Sequence, residues 1–255
     1  RHPPIALAGR GSVAVLAAKH RWVQQAAVVL YAAPGASGTG ASADQPGDLA
    51  TLVGAASAEA TAIILAGGEY SLDETLALGL RGPISLIGTR ASSTLVSNQA
   101  GSVFSAQAST VQIYGLGLRG PISSEGETGL LPALAMQGAA VLTLAQSSIE
   151  SRGGHGIVAN RSSDNPDTGE TGNVSMSGVT FGEIAGSAIK AVLASGSWSL
   201  QGGRMQGPIG RHGLSFLGGN ASVSVSDSEF LTLTLDAMHA TDVLGSWTVD
   251  CNPFR

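Results

Sequence analysis

Short stretches in the second half of the chain alternate apolar residues with serine, threonine or glutamine. Four of them span residues 142–149, 174–181, 198–205 and 223–230, and a fifth begins at Trp247. Alternation of this kind predicts strands with one buried face and one wetted face. From residue 174 onward the starts recur every 24 or 25 residues. A period of that size is typical of an architecture built from stacked repeats.

A second short apolar segment follows at a matching position in three of these units, over residues 155–159, 187–191 and 212–216. One coil cannot bury its own apolar face, but stacked coils share a continuous core. The interval from Leu142 to Val174 is longer, and its excess falls in the polar residues 161–172. This stretch predicts an insertion at one corner of a coil.

The first half of the chain repeats more loosely, with earlier rungs indicated at residues 63–65, 84–87 and 111–118. Helical spacing of apolar residues after an acidic start predicts one short helix near residues 48–58. We therefore predict an all-β fold, a single right-handed parallel β-helix over residues 28–255. Residues 1–27 form an N-terminal segment that supplies either an extra rung, at residues 11–17, or a strand that pairs with a neighbouring chain.

The segment LYAAPGASG, residues 30–38, resembles the opening motif of pectin-lyase-like right-handed parallel β-helix proteins. Residues 46–55 and 66–72 continue the resemblance, which covers roughly residues 28–250. It implies the fold and export from the cell. Many members are bacterial surface or secreted proteins, and others are polysaccharide lyases or hydrolases. The resemblance identifies no catalytic residue.

Composition narrows the set of partners. The net charge is -5 and the basic residues are scattered singly, so the chain lacks the basic patch that nucleic acid requires. The longest apolar run, residues 26–33, is too short to span a bilayer. We therefore expect no nucleic-acid partner and no membrane span. The expected partners are a second copy of the chain, other surface proteins or a glycan.

Residues at one position of successive coils form columns on the surface, because neighbouring coils lie about 4.8 Å apart. The register predicts a column of His155, Ser187 and His212, with the two histidines roughly 9–10 Å apart at the backbone. Either these histidines belong to a functional patch, or they lie in turns at a solvated corner.

Charged residues near this column complete the candidate patch, which under the functional hypothesis binds or cleaves a glycan. The catalytic candidates are Glu150, Glu183, His155 and His212, and the ligand-binding candidates are Arg152, Arg211, His155 and His212. Glycoside hydrolysis needs two facing carboxylates, about 5–5.5 Å apart in retaining enzymes and about 6.5–9.5 Å apart in inverting ones. Glu150 and Glu183 on adjacent coils could reach such distances, although any two carboxylates on adjacent coils would do so.

Calcium is the only cofactor that the sequence suggests. Asp164, Asp167 and Glu170 place oxygen ligands close together, as calcium requires. The segment does not match the EF-hand loop in spacing or ending, so an ordinary polar loop is the alternative.

Two functions stay open at this point. Low charge (12% of residues), few aromatics (4%) and the lack of a convincing catalytic cluster favour a non-catalytic secreted or surface module. Such a module would serve adhesion, matrix or filament structure. The alternative is a polysaccharide lyase or glycoside hydrolase of the same fold. An enzyme should show a groove lined by carboxylates and aromatics, whereas a structural rod should show smooth faces covered by serine and threonine.

Overall fold

The structure is a computed structural model that describes residues 22–79, 81–89, 91, 94–98, 100–106, 109–122, 130–137, 140–160 and 172–250. The chain winds into stacked coils, and each strand pairs in parallel with the equivalent strand of the coil before or after it. These pairs form three ladders, which we call faces 1, 2 and 3. The predicted right-handed parallel β-helix is confirmed.

Each face collects one strand, or part of one, from successive coils. Face 1 contains β1 (Val28–Ala32), β2 (Thr61–Leu65), β5 (Ile84–Ile87), β8 (Thr110–Tyr114), β11 (Val141–Ala145), β14 (Val174–Ser177), the second halves of β16 (Ile189–Gln201) and β18 (Leu214–Ser226), and β21 (Trp247–Asp250). Face 2 contains β3 (Gly68–Ser71), β6 (Thr94–Ser97), β9 (Gly117–Arg119), β12 (Ser148–Ser151), β15 (Thr180–Ile184), β17 (Arg204–Met205) and β19 (Glu229–Phe230). Face 3 contains β4 (Leu76–Leu78), β7 (Phe104–Ala106), β10 (Leu134–Gln137), β13 (Ile157–Asn160), the first halves of β16 and β18, and β20 (Met238–Thr241).

A corner divides each long strand predicted in the second half of the chain. Residues 142–149, for example, belong to β11 on face 1 and β12 on face 2. The corner residues have left-handed backbone conformations, at Gln146 (φ 50°), Gly178 (φ 60°), Gly202 (φ 61°) and Asp227 (φ 50°). The alternation of apolar and polar residues does not reveal this corner, because the apolar residues on both sides of it still point into the core.

The core runs along the inside of the coils. On face 2 one stack of inward side chains consists of Leu118, Ile149, Phe181, Met205 and Phe230, each at most 3% exposed. Burial of an apolar side chain of this size contributes roughly 1.5–3 kcal/mol. The stability of the rod therefore comes from columns of side chains that span several coils.

The helix α2 (Leu49–Ala55) lies near the N-terminal end of the rod and confirms the predicted short helix. Asp48 caps it, because its carboxylate accepts a 2.9 Å hydrogen bond from the amide of Thr51. Leu49, Leu52 and Val53 are buried in the core of the first coils. Within the described part of the chain, no helix is long and apolar enough to cross a membrane.

Part of the N-terminal segment covers the outside of face 1. Residues 22–25 form a helical turn, α1, and Trp22 packs edge-on against Tyr114 at a ring distance of 6.2 Å. Ala62 and Ile87 complete this outer cluster, which is separate from the main core. The extra rung expected at residues 11–17 lies outside the described residues, as does every residue before 22.

Candidate functional site

Face 2 carries a series of arginine–glutamate pairs. Register explains two of them, because Arg119 lies opposite Glu150 and Arg204 opposite Glu229 on adjacent coils. The distances from arginine Nε to glutamate Oε2 are 3.5 Å for Arg119–Glu150, 2.7 Å for Arg152–Glu183 and 3.5 Å for Arg204–Glu229. All three pairs are exposed to solvent, so each contributes at most about 1 kcal/mol to stability.

A shallow groove of about 260 Å³ runs beside the first two pairs. Its polar lining comes from Glu69, Ser97, Arg119, Glu150 and Arg152, and its apolar lining includes Ile122. Ser97 donates a 3.3 Å hydrogen bond to Glu69, which orders one wall. The Ile122 side chain is 49% exposed. The groove therefore offers hydrogen-bond donors, acceptors and an apolar contact within a short stretch of surface.

The two predicted catalytic carboxylates lie on this face, where each one pairs with an arginine. Glu150 pairs with Arg119, and Glu183 pairs with Arg152. Arg152, predicted to bind ligand, lines the groove together with Glu150. The structure thus places Glu150, Glu183 and Arg152 on the same side of the rod.

The structure places His155 inside the wall of the rod. The residue is 4% exposed, and its Nδ1 atom accepts a 2.9 Å hydrogen bond from the amide of Ser187. Burial lowers the pKa of His155 to about 4, and the positive charges of Lys190 and Arg211 act in the same direction. The imidazole is therefore neutral at pH 7 and serves the packing between coils.

The predicted column exists, and it continues for one further coil. Register places His155, Ser187 and His212 at one position of successive coils, and the next residue of the column is Asp236. The apolar–polar pattern does not indicate Asp236, because the last coils lack clear alternation. The spacing of 24 residues from His212 to Asp236 was the available signal.

Two histidine rings stack beside Asp236, on the corner that leads into face 3. The rings of His212 and His239 lie 4.4 Å apart and 19° from parallel. Their Nδ1 atoms lie 3.4 Å and 3.5 Å from Oδ2 of Asp236. Burial lowers the pKa of His212, the charges of His239 and the exposed Arg211 lower it further, and the Asp236 carboxylate raises it. We refer to His212, Asp236 and His239 as the histidine cluster.

The calcium candidates Asp164, Asp167 and Glu170 lie outside the described residues. A calcium site in that segment stays a prediction.

Comparison with known proteins gives no family assignment from sequence. No protein-family profile matches the chain, and no curated protein matches it. The three strand ladders nevertheless agree with the opening motif. The fold is a right-handed parallel β-helix.

Solved structures with the same architecture align at very low identity. A pectin methylesterase from Aspergillus niger has 12% identity over 85% of each chain, with a TM-score of 0.45. A rhamnogalacturonan lyase has 9% identity over 85% of this chain and 74% of its own, with a TM-score of 0.46. A PL6 family alginate lyase has 9% identity and a TM-score of 0.47. The alignment covers 90% of this chain but 40% of the alginate lyase. Similarity at this level concerns the fold and transfers no activity.

Proposed function

We propose that the chain is a non-catalytic, secreted or cell-surface module that binds a glycan in the groove on face 2. The observation that carries this proposal is the lining of that groove by Glu69, Arg119, Glu150 and Arg152 beside the exposed Ile122. Sugar hydroxyls both donate and accept hydrogen bonds. Carboxylates accept from them and guanidinium groups donate to them. An exposed aliphatic side chain suits the C–H face of a sugar ring.

The charges of the groove favour a neutral, hydroxyl-rich polysaccharide. Its two glutamates and two arginines balance each other. A polyuronate would bring one carboxylate per sugar toward Glu69 and Glu150, on a chain whose net charge is already -5. Like charges at short range oppose binding. We therefore expect neutral glycans to bind more tightly than polyuronates.

The arginine pairs support a binding role over catalysis. Hydrolysis of a glycoside generally uses two carboxylates that flank one scissile bond, one as acid and one as nucleophile or base. Glu150 and Glu183 each form an ion pair with their own arginine, and His155 lies in the wall of the rod. These three catalytic candidates thus have structural partners that a catalytic role would have to displace.

The test is a glycan array followed by calorimetry with the best-bound oligosaccharide. Arg152→Gln and Ile122→Ser should each weaken glycan binding. The arginine change should weaken it by about 10-fold or more, because a hydrogen bond to a charged group contributes roughly 1.5–3 kcal/mol. Arg204→Gln is the matched control, because Arg204 forms the same kind of pair on the same face but does not line the groove. Equal losses in Arg152→Gln and Arg204→Gln, or no glycan bound at all, would contradict the proposal.

A depolymerisation assay on the same glycans tests the alternative enzymatic function. We expect no new chain ends after prolonged incubation. Release of shorter products, abolished by Glu150→Gln and kept in Arg204→Gln, would replace the binding module with a polysaccharide lyase or hydrolase.

Self-association is a second candidate, supported by the last described coil. On this coil, β20 and β21 both pair with β18 among the described strands. Val249 on β21 is 46% exposed and Leu244 is 87% exposed. Apolar side chains exposed together on one coil favour contact with another copy. Light scattering over a range of concentrations should show a growing mass, and a constant monomer mass would remove this candidate.

A further inference from the structure

We infer that His212, Asp236 and His239 form a binding site for a divalent transition-metal ion, with Zn²⁺ the best fit. The site lies where two adjacent coils meet, because His212 precedes β18 whereas Asp236 and His239 belong to the next coil. It shares no residue with the groove on face 2, and the inference does not depend on the proposed glycan binding.

The ligand atoms already have nearly the spacing of a metal site. Nδ1 of His212 lies 3.4 Å from Oδ2 of Asp236, and Nδ1 of His239 lies 3.5 Å from the same oxygen. Tetrahedral Zn²⁺ with bonds of 2.0–2.1 Å places neighbouring ligand atoms about 3.3–3.4 Å apart. One ligand atom from each residue lies within 4.8 Å of the other two. Because the two rings are stacked 19° from parallel, the His239 side chain, which is 37% exposed, must rotate for both in-plane lone pairs to meet at one ion.

His212 supplies an independent observation that points to a ligand. Among the described residues, its Nδ1 atom is buried and has no hydrogen-bond partner. The Asp236 oxygen is near enough for a hydrogen bond, but the arrangement of the two groups does not form one. Buried polar atoms without partners are rare, and each calls for an explanation such as a bound ion. A metal ion between Nδ1 and the carboxylate would satisfy both groups.

The second ring nitrogen of His239 has an oxygen neighbour, as it usually does in metal-bound histidines. Its Nε2 atom lies 3.1 Å from the hydroxyl oxygen of Thr241 on the same strand. A histidine that binds a metal through one ring nitrogen usually donates the other N–H to an oxygen acceptor, which fixes the tautomer. Donation from Nε2 to Thr241 leaves the lone pair on Nδ1, the atom that faces Asp236.

The ligand set selects the class of metal. Two imidazoles and one carboxylate suit Zn²⁺, Cu²⁺ or Ni²⁺, whereas Ca²⁺ and Mg²⁺ prefer oxygen ligands throughout. The nearby charge of Arg211 opposes a bound cation, although this arginine is exposed and therefore screened by solvent. Asp236 is 63% exposed, which leaves the remaining coordination positions open to water. A bound ion would tie the coil of His212 to the following coil.

Calorimetry with Zn²⁺ on the metal-stripped chain tests the inference. We expect one Zn²⁺ ion per chain, a raised melting temperature, and the same response to millimolar Ca²⁺ in the parent chain and in Asp236→Asn. Asp236→Asn and His239→Ala should abolish the site, and Thr241→Val should weaken it about 10-fold through loss of the ring's partner. The variant His2→Ala/His20→Ala is the control, because it removes two histidines outside the cluster and should bind normally.

Cobalt absorption provides a readout that does not rely on stability. Co²⁺ in a tetrahedral site with nitrogen and oxygen ligands gives intense visible bands, which should appear in the parent chain and vanish in Asp236→Asn. Circular dichroism checks that each variant is folded. Zn²⁺ binding that survives both Asp236→Asn and His239→Ala in folded protein, or no binding at micromolar to millimolar Zn²⁺, would overturn the inference. In the first case the ion binds adventitiously elsewhere, and in the second the histidine cluster holds no metal.

Discussion

The amide of Ser187 donates a 2.9 Å hydrogen bond to Nδ1 of His155, one coil earlier in the rod. Only a neutral ring can accept that bond, because both nitrogens of a charged imidazole carry protons. His155 is 4% exposed, so a charged ring would also lose its hydration. One contact between two coils therefore depends on the proton occupancy of a single side chain.

We expect acid to destabilise the fold through His155. Its folded-state pKa is about 4 and its ordinary value is 6.5, so between these pH values the unfolded chain binds a proton that the folded chain excludes. The contribution is complete above pH 6.5 and is lost as the pH falls toward 4, for a total of about 3 kcal/mol. Urea unfolding across this range measures the slope. His155→Gln should flatten that slope, and an unchanged slope in His155→Gln would assign the acid sensitivity to other groups.

Tyr70 should stabilise the first coils up to high pH. Its hydroxyl lies 3.0 Å from the carbonyl oxygens of both Ala32 and Ala66, and burial raises its pKa to about 12. Tyr70→Phe leaves these carbonyls without that donor, at an expected cost of about 1–3 kcal/mol. In the parent chain, stability present below pH 10 should be lost as the pH rises from 10 toward 12. Denaturant unfolding of both proteins at pH 7 and pH 11 checks this, and a Tyr70→Phe variant as stable as the parent at pH 7 would refute it.

Two glycines should respond oppositely to alanine. A Cβ at Gly154 would meet the backbone carbonyl oxygen of Leu131, so Gly154→Ala should cost about 1–3 kcal/mol by overpacking. A Cβ at Gly54, in α2, would meet nothing, so Gly54→Ala should stabilise the chain by about 0.5–1 kcal/mol through helix propensity. Melting temperatures of the two variants provide the measurement. If both variants shift the melting temperature in the same direction, the close approach of adjacent coils does not limit these positions.

The inward stack on face 2 should dominate the energetics. Phe181 is fully buried between Ile149 and Met205 of the neighbouring coils. Phe181→Ala should destabilise the fold by about 3–5 kcal/mol, because it leaves a cavity. Leu244→Ala is the control, at a position 87% exposed, and should change stability by less than about 0.5 kcal/mol. Chemical denaturation measures the free energy of unfolding of both variants. A similar decrease in the two would contradict this description of the core.

The sequence predicts the coils well where alternation is regular. Strands beginning near residues 174, 198, 223 and 247 pair in the register that their spacing indicates. The same spacing places His155, Ser187 and His212 in one column. Register follows from sequence here because a shift of one residue would turn the whole apolar set of a strand toward solvent.

The candidate site was harder to predict, because burial and orientation do not follow from spacing. His155 between two glycines has the local pattern of an exposed turn, yet the close packing of adjacent corners buries it. Arg119 was missed because it belongs to the first half of the chain, where the repeat is loose. Its place opposite Glu150 depends on a pairing that only the structure reveals.

Nearest-neighbour stacking also determines how the rod would respond to tension. Among the described residues, each strand of faces 2 and 3 pairs only with the coils directly before and after it. A force applied at the C-terminal end would therefore act on one coil at a time. Each coil that detaches would lengthen the extended chain by some 24 residues before the force reaches the next coil. A metal ion between His212 and the last described coil would raise the force needed to detach that coil.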